Sequence, residues 1–254
     1  MPRLGLLTGA VVGLAMTLML TPASAADTVI LGSVGSASTN SWPVYIGINK
    51  GFFAAEDLKV DYVFAQSNAG VNQQLAAGSI DFAINTGLVD PIRAVEKGAP
   101  VAIVRIEIQG PPYILNARST IRSMKELRGK VISVGGAKDI TRIFVERMLA
   151  ADGVKPGEFD MVFAGATSAR FAALQSGAVD AAILAPPYSF RAEAAGFTNL
   201  GRTIDYAPDL PFAGTVVNRT FAGAKPRVVE RVLAVLNRSI AWFYDGRNRA
   251  RPSR

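Results

Sequence analysis

The sequence predicts an α/β protein of two similar lobes joined by two chain crossings, and three observations carry that reading. The stretch LAAGSIDFAI at residues 75–84 returns as LQSGAVDAAI at residues 174–183, an offset of 99 positions. Both copies keep Leu, two residues, Gly, a small residue, a β-branched residue and Asp, then x-Ala-Ile. The match runs backwards without a gap, since Asp61, Tyr62, Val63, Phe64 and Ala65 are answered by Asp160, Met161, Val162, Phe163 and Ala164. Each unit also reads strand, loop, helix, glycine, strand. That order calls for parallel strands joined by a right-handed crossover. Gly78 falls just past the first helix, where a left-handed end suits glycine.

In chain order, residues 28–34 read as a buried strand and 35–40 as a loop of small polar residues. A helix starts near Trp42, with Pro43 tolerated in its first turn, and Gly51 ends it. Residues 52–58 are a short turn or helix, with Phe52 and Phe53 as core. The first repeat supplies a strand at 60–65, a helix at 71–77 and a strand at 80–84. A helix over 90–97 is expected next, with Asp90 as N-cap before Pro91. A strand follows at 101–108, then Gly110-Pro111-Pro112. Residues 123–130 make one helical turn, 131–134 a strand and 139–151 a helix. After the second repeat come a helix at 191–195, short strands at 200–204 and 214–218, and a long amphipathic helix at 226–244. The strand at 214–218 and the last helix form no third repeat, so their simplest place is back on the first lobe. The expected lobes are therefore 27–112 with 215–254, and 113–214. Crossings near 108–116 and 205–215 would make a hinge.

Composition narrows the chemistry. Among 254 residues there is no His and no Cys. Without His, Ser-His-Asp and Cys-His nucleophile systems and most zinc sites are excluded. Neither a phosphate-binding GxxxxGK[ST] nor a G-x-S-x-G motif occurs. No catalytic residue, metal or cofactor is expected. The net charge of +7 overstates how basic the body is, because Arg3, Arg247, Arg249, Arg251 and Arg254 sit at the two ends. Setting those five aside leaves +2, with no basic face for nucleic acid. Residues 1–25 are expected to be a secretory signal cleaved after Ala25, given Arg3, the uncharged run 4–20 and Ala23-Ser24-Ala25. No later stretch approaches the ~20 apolar residues of a membrane span.

Open α/β sheets bind ligands at the carboxyl ends of their strands. Here those loops are 35–40, 66–70, 85–88, 135–141, 165–168 and 185–188, rich in Gly, Ser, Thr and Asn. Several directly precede helices, whose first N–H groups favour an anion. The candidate contacts are Ser36, Ser38 and Asn40, with Trp42 as a stacking surface. Ser67 and Asn68 follow, then Thr86 and Gly87. Gly135 and Gly136 could cradle an anion, with Lys138 and Thr141 beside them. Thr167, Pro187 and Tyr188 complete the set, Tyr188 as a wall. Against this, Ser67, Asn68 and Thr167 could be helix caps, Trp42 core, Gly135-Gly136 a tight turn and Lys138 a solvated charge. Asp81 and Asp180 read as structural.

At these residues the chain resembles a known family. It is similar to the periplasmic substrate-binding proteins of ABC importers, in the nitrate/sulfonate/taurine and thiamine-precursor (NMT1-like) group. The stretches that carry this are WPVYIGINKGFFAAEDLKVD, AAGSIDFAI, SMKELRGKVISV, LQSGAVDAAILAPPY and the closing helix through Trp242 and Phe243. The resemblance implies a type II periplasmic-binding-protein fold of two Rossmann-like lobes that close on a solute. It also implies a monomer that delivers the solute to an ABC transporter membrane permease. Family members usually continue further at the carboxyl end, where this chain has GRNRARPSR, which reads as a truncated or frameshifted end. The thiamine-pyrimidine synthase branch depends on His and Cys, which this chain lacks, so that activity is not expected. The expected ligand is a small anion such as a sulfonate or carboxylate. A neutral or aromatic solute is the alternative, because the sequence forces no Arg or Lys into the cleft. Rival functions are a lyase or transferase working with carboxylates on the same fold, and a sensory ligand-binding domain.

Overall fold

The computed structural model describes residues 26–36 and 41–248. The expected signal at 1–25, Ser38, Asn40 and the end from residue 249 lie outside the described residues. Ten strands follow in chain order among the described residues: β1 (Asp27–Val34), β2 (Leu58–Ala65), β3 (Phe82–Gly87), β4 (Val101–Ile108), β5 (Ile114–Ala117), β6 (Val131–Val134), β7 (Asp160–Phe163), β8 (Ala181–Leu184), β9 (Thr198–Arg202) and β10 (Ala213–Asn218). The helices are α1 (Trp42–Asn49), α2 (Asn68–Ala76), α3 (Val89–Glu96), α4 (Ile140–Ala151), α5 (Thr167–Gln175), α6 (Tyr188–Ala194), α7 (Arg219–Ala224) and α8 (Pro226–Tyr244).

The strands form two five-stranded sheets on one plan, ordered β2-β1-β3-β10-β4 and β7-β6-β8-β5-β9. In the first, β1 lies parallel to β2 and β3, and β10 is antiparallel between β3 and β4. In the second, β6 lies parallel to β7 and β8, and β5 is antiparallel between β8 and β9. Each sheet thus takes one strand from a chain that has just arrived from the other sheet. The two arrivals lie between β4 and β5 and between β9 and β10. This is the mixed α/β plan that the duplicated sequence foreshadowed.

The duplicated aspartate does one job twice. The N–H of Asp81 donates to the Ile30 carbonyl at 2.9 Å, and its carboxylate accepts from the Ile30 N–H at 2.8 Å. Asp180 repeats both bonds with Val131, at 2.8 and 3.0 Å. Their carbonyls then accept from Asn218 and Arg118, which follow or close the two antiparallel strands. Each Asp therefore stands in for a ladder residue just before pairing starts at Leu31 with Phe82 and at Ile132 with Ala181.

Apolar periodicity explains the packing. Val228, Val232, Val235 and Leu236 of α8 are buried against Val29, Leu31, Val44 and Phe53, so the last helix does belong to the first sheet. Pro226 opens α8 where its missing N–H has no intrahelical role. Around the second sheet, Phe144, Val145, Met148 and Leu149 of α4 pack on Ile132, Val134 and Ile183. Two local expectations are corrected, and one helix is added. Helix α3 begins at Val89, so Asp90 lies in its first turn and Leu88 holds the cap position. Helix α6 begins directly after Pro187 and not at Arg191. Helix α7 has no apolar period of its own, and forms because the Asn218 side chain accepts from the Phe221 N–H at 3.1 Å.

Candidate functional site

The carboxyl ends of the parallel strands of both sheets face one another across a cleft. At its centre is a cavity of about 50 Å³. Ser33, Asn68 and Gly87 reach it from the first sheet's side, and Gly135, Asp139, Thr141, Thr167, Ser168, Arg170 and Tyr188 from the second. The cleft is closed. The Asn68 amide donates to the Asp139 carboxylate at 2.6 Å across it, and the Arg93 guanidinium to the Lys138 carbonyl at 2.8 Å. Gly165, at φ +70°, brings its backbone so near the Gln66 carbonyl that a Cβ would overlap the oxygen.

Three helices of nine or more residues start at this cavity, and their first turns differ. Helix α2 is capped by Ser67, whose hydroxyl accepts from the Gly70 N–H at 3.1 Å. Helix α4 is capped by Asp139, whose Oδ1 accepts from the Thr141 N–H at 2.8 Å and from the Thr141 hydroxyl at 2.5 Å. Helix α5 has Ala166 at its cap position and no side-chain cap. Its first N–H groups, on Thr167 and Ser168, have no acceptor within the helix. They line the cavity with the dipole behind them.

One turn into α5 stands Arg170, only 3% exposed and lining the same cavity. Its guanidinium donates to the Ile183 carbonyl at 2.6 Å and to the Thr167 hydroxyl at 2.7 Å. It lies over the Tyr113 ring, 5.4 Å from the centroid. Its Nε has no partner. Among the described residues, no carboxylate comes within ion-pair distance of it. A buried cation with no carboxylate in direct contact is costly, by several kcal/mol in order of magnitude. The feature therefore points to an anionic group that arrives with the ligand. Burial raises the pKa of the Tyr113 hydroxyl, opposed by the Arg170 charge beside it.

The other candidates fall into distinct places. Asn68 bridges the cleft, and its Oδ1 also accepts from the Gly87 N–H and the Thr86 hydroxyl, both at 3.3 Å. Thr86 is buried behind the wall, bonded to Asn72 and Asn68, while Gly87 forms part of the wall. Ser67, Gly136 and Lys138 line an outer groove of about 440 Å³ that shares Asn68, Gly135 and Asp139 with the cavity. The Gly135-Gly136 turn is not a free anion cradle. The Gly135 N–H is spent on the Thr141 hydroxyl at 2.8 Å, and a Cβ on Gly135 would meet the Asp139 carboxylate at 2.8 Å. Its lack of a side chain makes room for that carboxylate.

Thr167 and Tyr188 line the cavity; Pro187 precedes α6, and its peptide bond with Pro186 is cis. Ser36 is exposed outside it, its carbonyl accepting from the Tyr45 hydroxyl at 2.8 Å. Trp42 packs on Phe243, ring centroids 5.1 Å apart, in a separate cleft lined by Glu107 and Tyr244.

Arg170 and Asp139 were not among the residues singled out for the site. Arg170 carried a readable signal. In the repeat it occupies the position of Val71, which is fully buried in α2. A charge on the buried face of a helix, next to Phe171 and one turn before Leu174, must be held for a reason.

Comparison with known proteins agrees with this geometry. The family model described as NMT1/THI5 like matches residues 38–250. No curated protein matches the chain. Among solved structures, it is similar to the alkanesulfonate-binding protein SsuA from Xanthomonas axonopodis pv. citri bound to MOPS. That match has a TM-score of 0.74 at 19% identity, over 87% of this chain and 75% of that one. The periplasmic aliphatic sulphonate binding protein SsuA from Escherichia coli matches with a TM-score of 0.68 at 20% identity, over 87% and 75% of the two chains. The periplasmic nitrate-binding protein NrtA from Synechocystis PCC 6803 matches with a TM-score of 0.74 at 17% identity, over 87% and 63%. These structures share the periplasmic-binding-protein fold, and with the family model spanning most of its length the chain belongs to the NMT1/THI5-like family.

Proposed function

We propose that the chain is the exported solute-binding component of an ABC-type importer. It captures a small organic acid, such as a sulfonate or carboxylate, between its lobes and delivers it to the membrane permease. The observation that carries the reading is the uncapped start of α5 with Arg170 one turn inside it. Together they offer N–H groups, hydroxyls and a buried cation to one anionic group. The names of the structural relatives, which bind sulfonates and nitrate, support the same class. The lobes, residues 27–112 with 215–254 and residues 113–214, close by rotating about the two crossings. Binding requires no reaction, so the solute leaves as it came.

A thermal-shift screen of the chain from Ala26 onward, followed by calorimetry, tests this. The panel holds sulfonates, nitrate, carboxylates, pyrimidines and amino acids. A ligand at ~100 times its Kd adds about 2.7 kcal/mol, or roughly 5–10 °C for a chain of this size. A shift confined to acids, with the bound acid recovered unchanged, is the expected result. Shifts only with neutral or cationic solutes would reject it.

A further inference from the structure

We infer that the helical face of the first sheet carries a second ligand site, apart from the central cavity, for a small neutral aromatic molecule with one hydrogen-bond donor. The ring lies among Trp42, Phe243 and Tyr244, and the donor rests on the Glu107 carboxylate.

Helices α1 and α8 pack together on the first sheet, and the start of one and the end of the other leave a cleft of about 240 Å³ between them. Trp42 opens α1, and Phe243 and Tyr244 close α8. All three rings stay exposed although they line the cleft. Trp42 and Phe243 have centroids 5.1 Å apart, and Phe243 and Tyr244 5.3 Å, so the rings brace one another as a wall.

The floor of this apolar cleft is polar. The Glu107 side chain is only 5% exposed. Its Oε1 accepts from the Thr215 hydroxyl and from the Arg105 guanidinium. Its Oε2 is buried without a hydrogen-bond partner; the Asn85 N–H lies near the carboxylate but closes no bond to it. Ser239 is wholly buried, and its hydroxyl has no partner either. Buried polar atoms are seldom left unpaired. Two of them beneath aromatic walls have the make-up of a small-molecule pocket, apolar with a few polar groups that fix orientation.

Charge decides the class. An acid would be repelled by Glu107. An ammonium group would be repelled by Arg105, which already stands 3.4 Å from the carboxylate as its counter-charge. A neutral N–H or O–H pairs Oε2 and adds no net charge to a buried ion pair. Size decides the rest. The cleft falls between the ~150 Å³ of a cavity that takes benzene and the ~300 Å³ of the smallest drug-sized pockets, so it suits one ring or two fused rings. It shares only the buried Asn85 with the central cavity, and Arg170 is no part of it.

Calorimetry with matched probes tests the inference. The pairs are indole against benzofuran and phenol against toluene, with benzoate and benzylamine as charged controls. Indole and phenol should each bind about 10–100-fold tighter than the partner that lacks the donor. In Glu107→Gln that ratio should fall to within about threefold. Trp42→Ala should weaken all four neutral probes by about 2–10-fold, and it serves if the Gln variant does not fold. Indole should bind Arg170→Met as it binds wild type. The inference is overturned if no neutral probe binds at ~1 mM, if the donor-free partners bind equally well, or if both variants bind as wild type does. It is also overturned if a charged control binds tightest, or if indole binding is lost in Arg170→Met, which would put the ring in the central cavity. None of these results bears on acid capture there.

Discussion

Replacing Arg170 by Met separates binding from stability, and the structure sets the size of each effect. Met fills the place that Val71 takes in the first repeat, so the apolar face of α5 stays continuous. For stability, two terms oppose. The Ile183 carbonyl loses its guanidinium donor at 2.6 Å, which costs about 1–3 kcal/mol for an unsatisfied buried group. Removing a buried cation that touches no carboxylate returns several kcal/mol in order of magnitude. The free protein should therefore melt within a few degrees of wild type, at ~2–4 °C per kcal/mol. For binding, nothing compensates. Two charge-assisted bonds to the ligand at ~1.5–3 kcal/mol each make about 3–6 kcal/mol, or 10²–10⁴-fold in Kd. The assay is paired scanning fluorimetry and calorimetry with whichever acid stabilises wild type. Arg170→Lys keeps the charge without the planar fork and should recover only part of the affinity. Binding by the Met variant within about threefold of wild type would refute the reasoning, because it would leave the buried charge without a purpose in recognition.

Gly165→Ala should weaken binding by roughly 5–150-fold, the ~1–3 kcal/mol of an overpacked contact. Its Cβ would meet the Gln66 carbonyl across the closed cleft, so scattering that shows full compaction with ligand would count against the account. Burial holds the Glu107 carboxyl above its usual 4.5, against the lowering pull of Thr215 and Arg105. The folded protein then binds that proton more tightly than the unfolded chain, and stability falls as pH rises from 4.5 through the raised value. Glu107→Gln should flatten this slope in melts taken from pH ~5 to ~8; an unchanged slope assigns it elsewhere. Trp42→Ala removes a half-exposed ring stacked on Phe243. It should cost about 0.5–1.5 kcal/mol for the aromatic pair and leave Kd unaltered, whereas a tenfold weaker Kd would move Trp42 into the site.

The fold was legible because duplication writes the same instructions twice. The repeated Asp, Gly and β-branched residues are backbone devices, and Asp81 and Asp180 do the same structural work in both sheets. The site was legible as a set of loops and less so as residues. Loop composition could not say which helix starts were already capped, because a cap depends on rotamers and not on residue type alone. Ser67 closes its own helix, and Asp139, read only as the start of α4, turned out to own the Gly135-Gly136 turn. Arg170 is hard to read from residue type alone, because a charge inside a helical run ordinarily points to water. Only its alignment with Val71 and the packing of Phe171 and Leu174 show that it points inward.

The place of β10 has a consequence for the order in which the molecule can form. The second sheet is built from an unbroken run, from β5 to β9. The first needs β10 between β3 and β4, and α8 over β1, both from the far end of the chain. Until they are made, β3 presents an open strand edge and Val29, Leu31 and Phe53 lack their cover. The lobe whose sequence comes first is therefore completed last, its formation slowed by the long loops that must close. A chain that delays its own first core in this way keeps one lobe unfinished until its last long helix has been made.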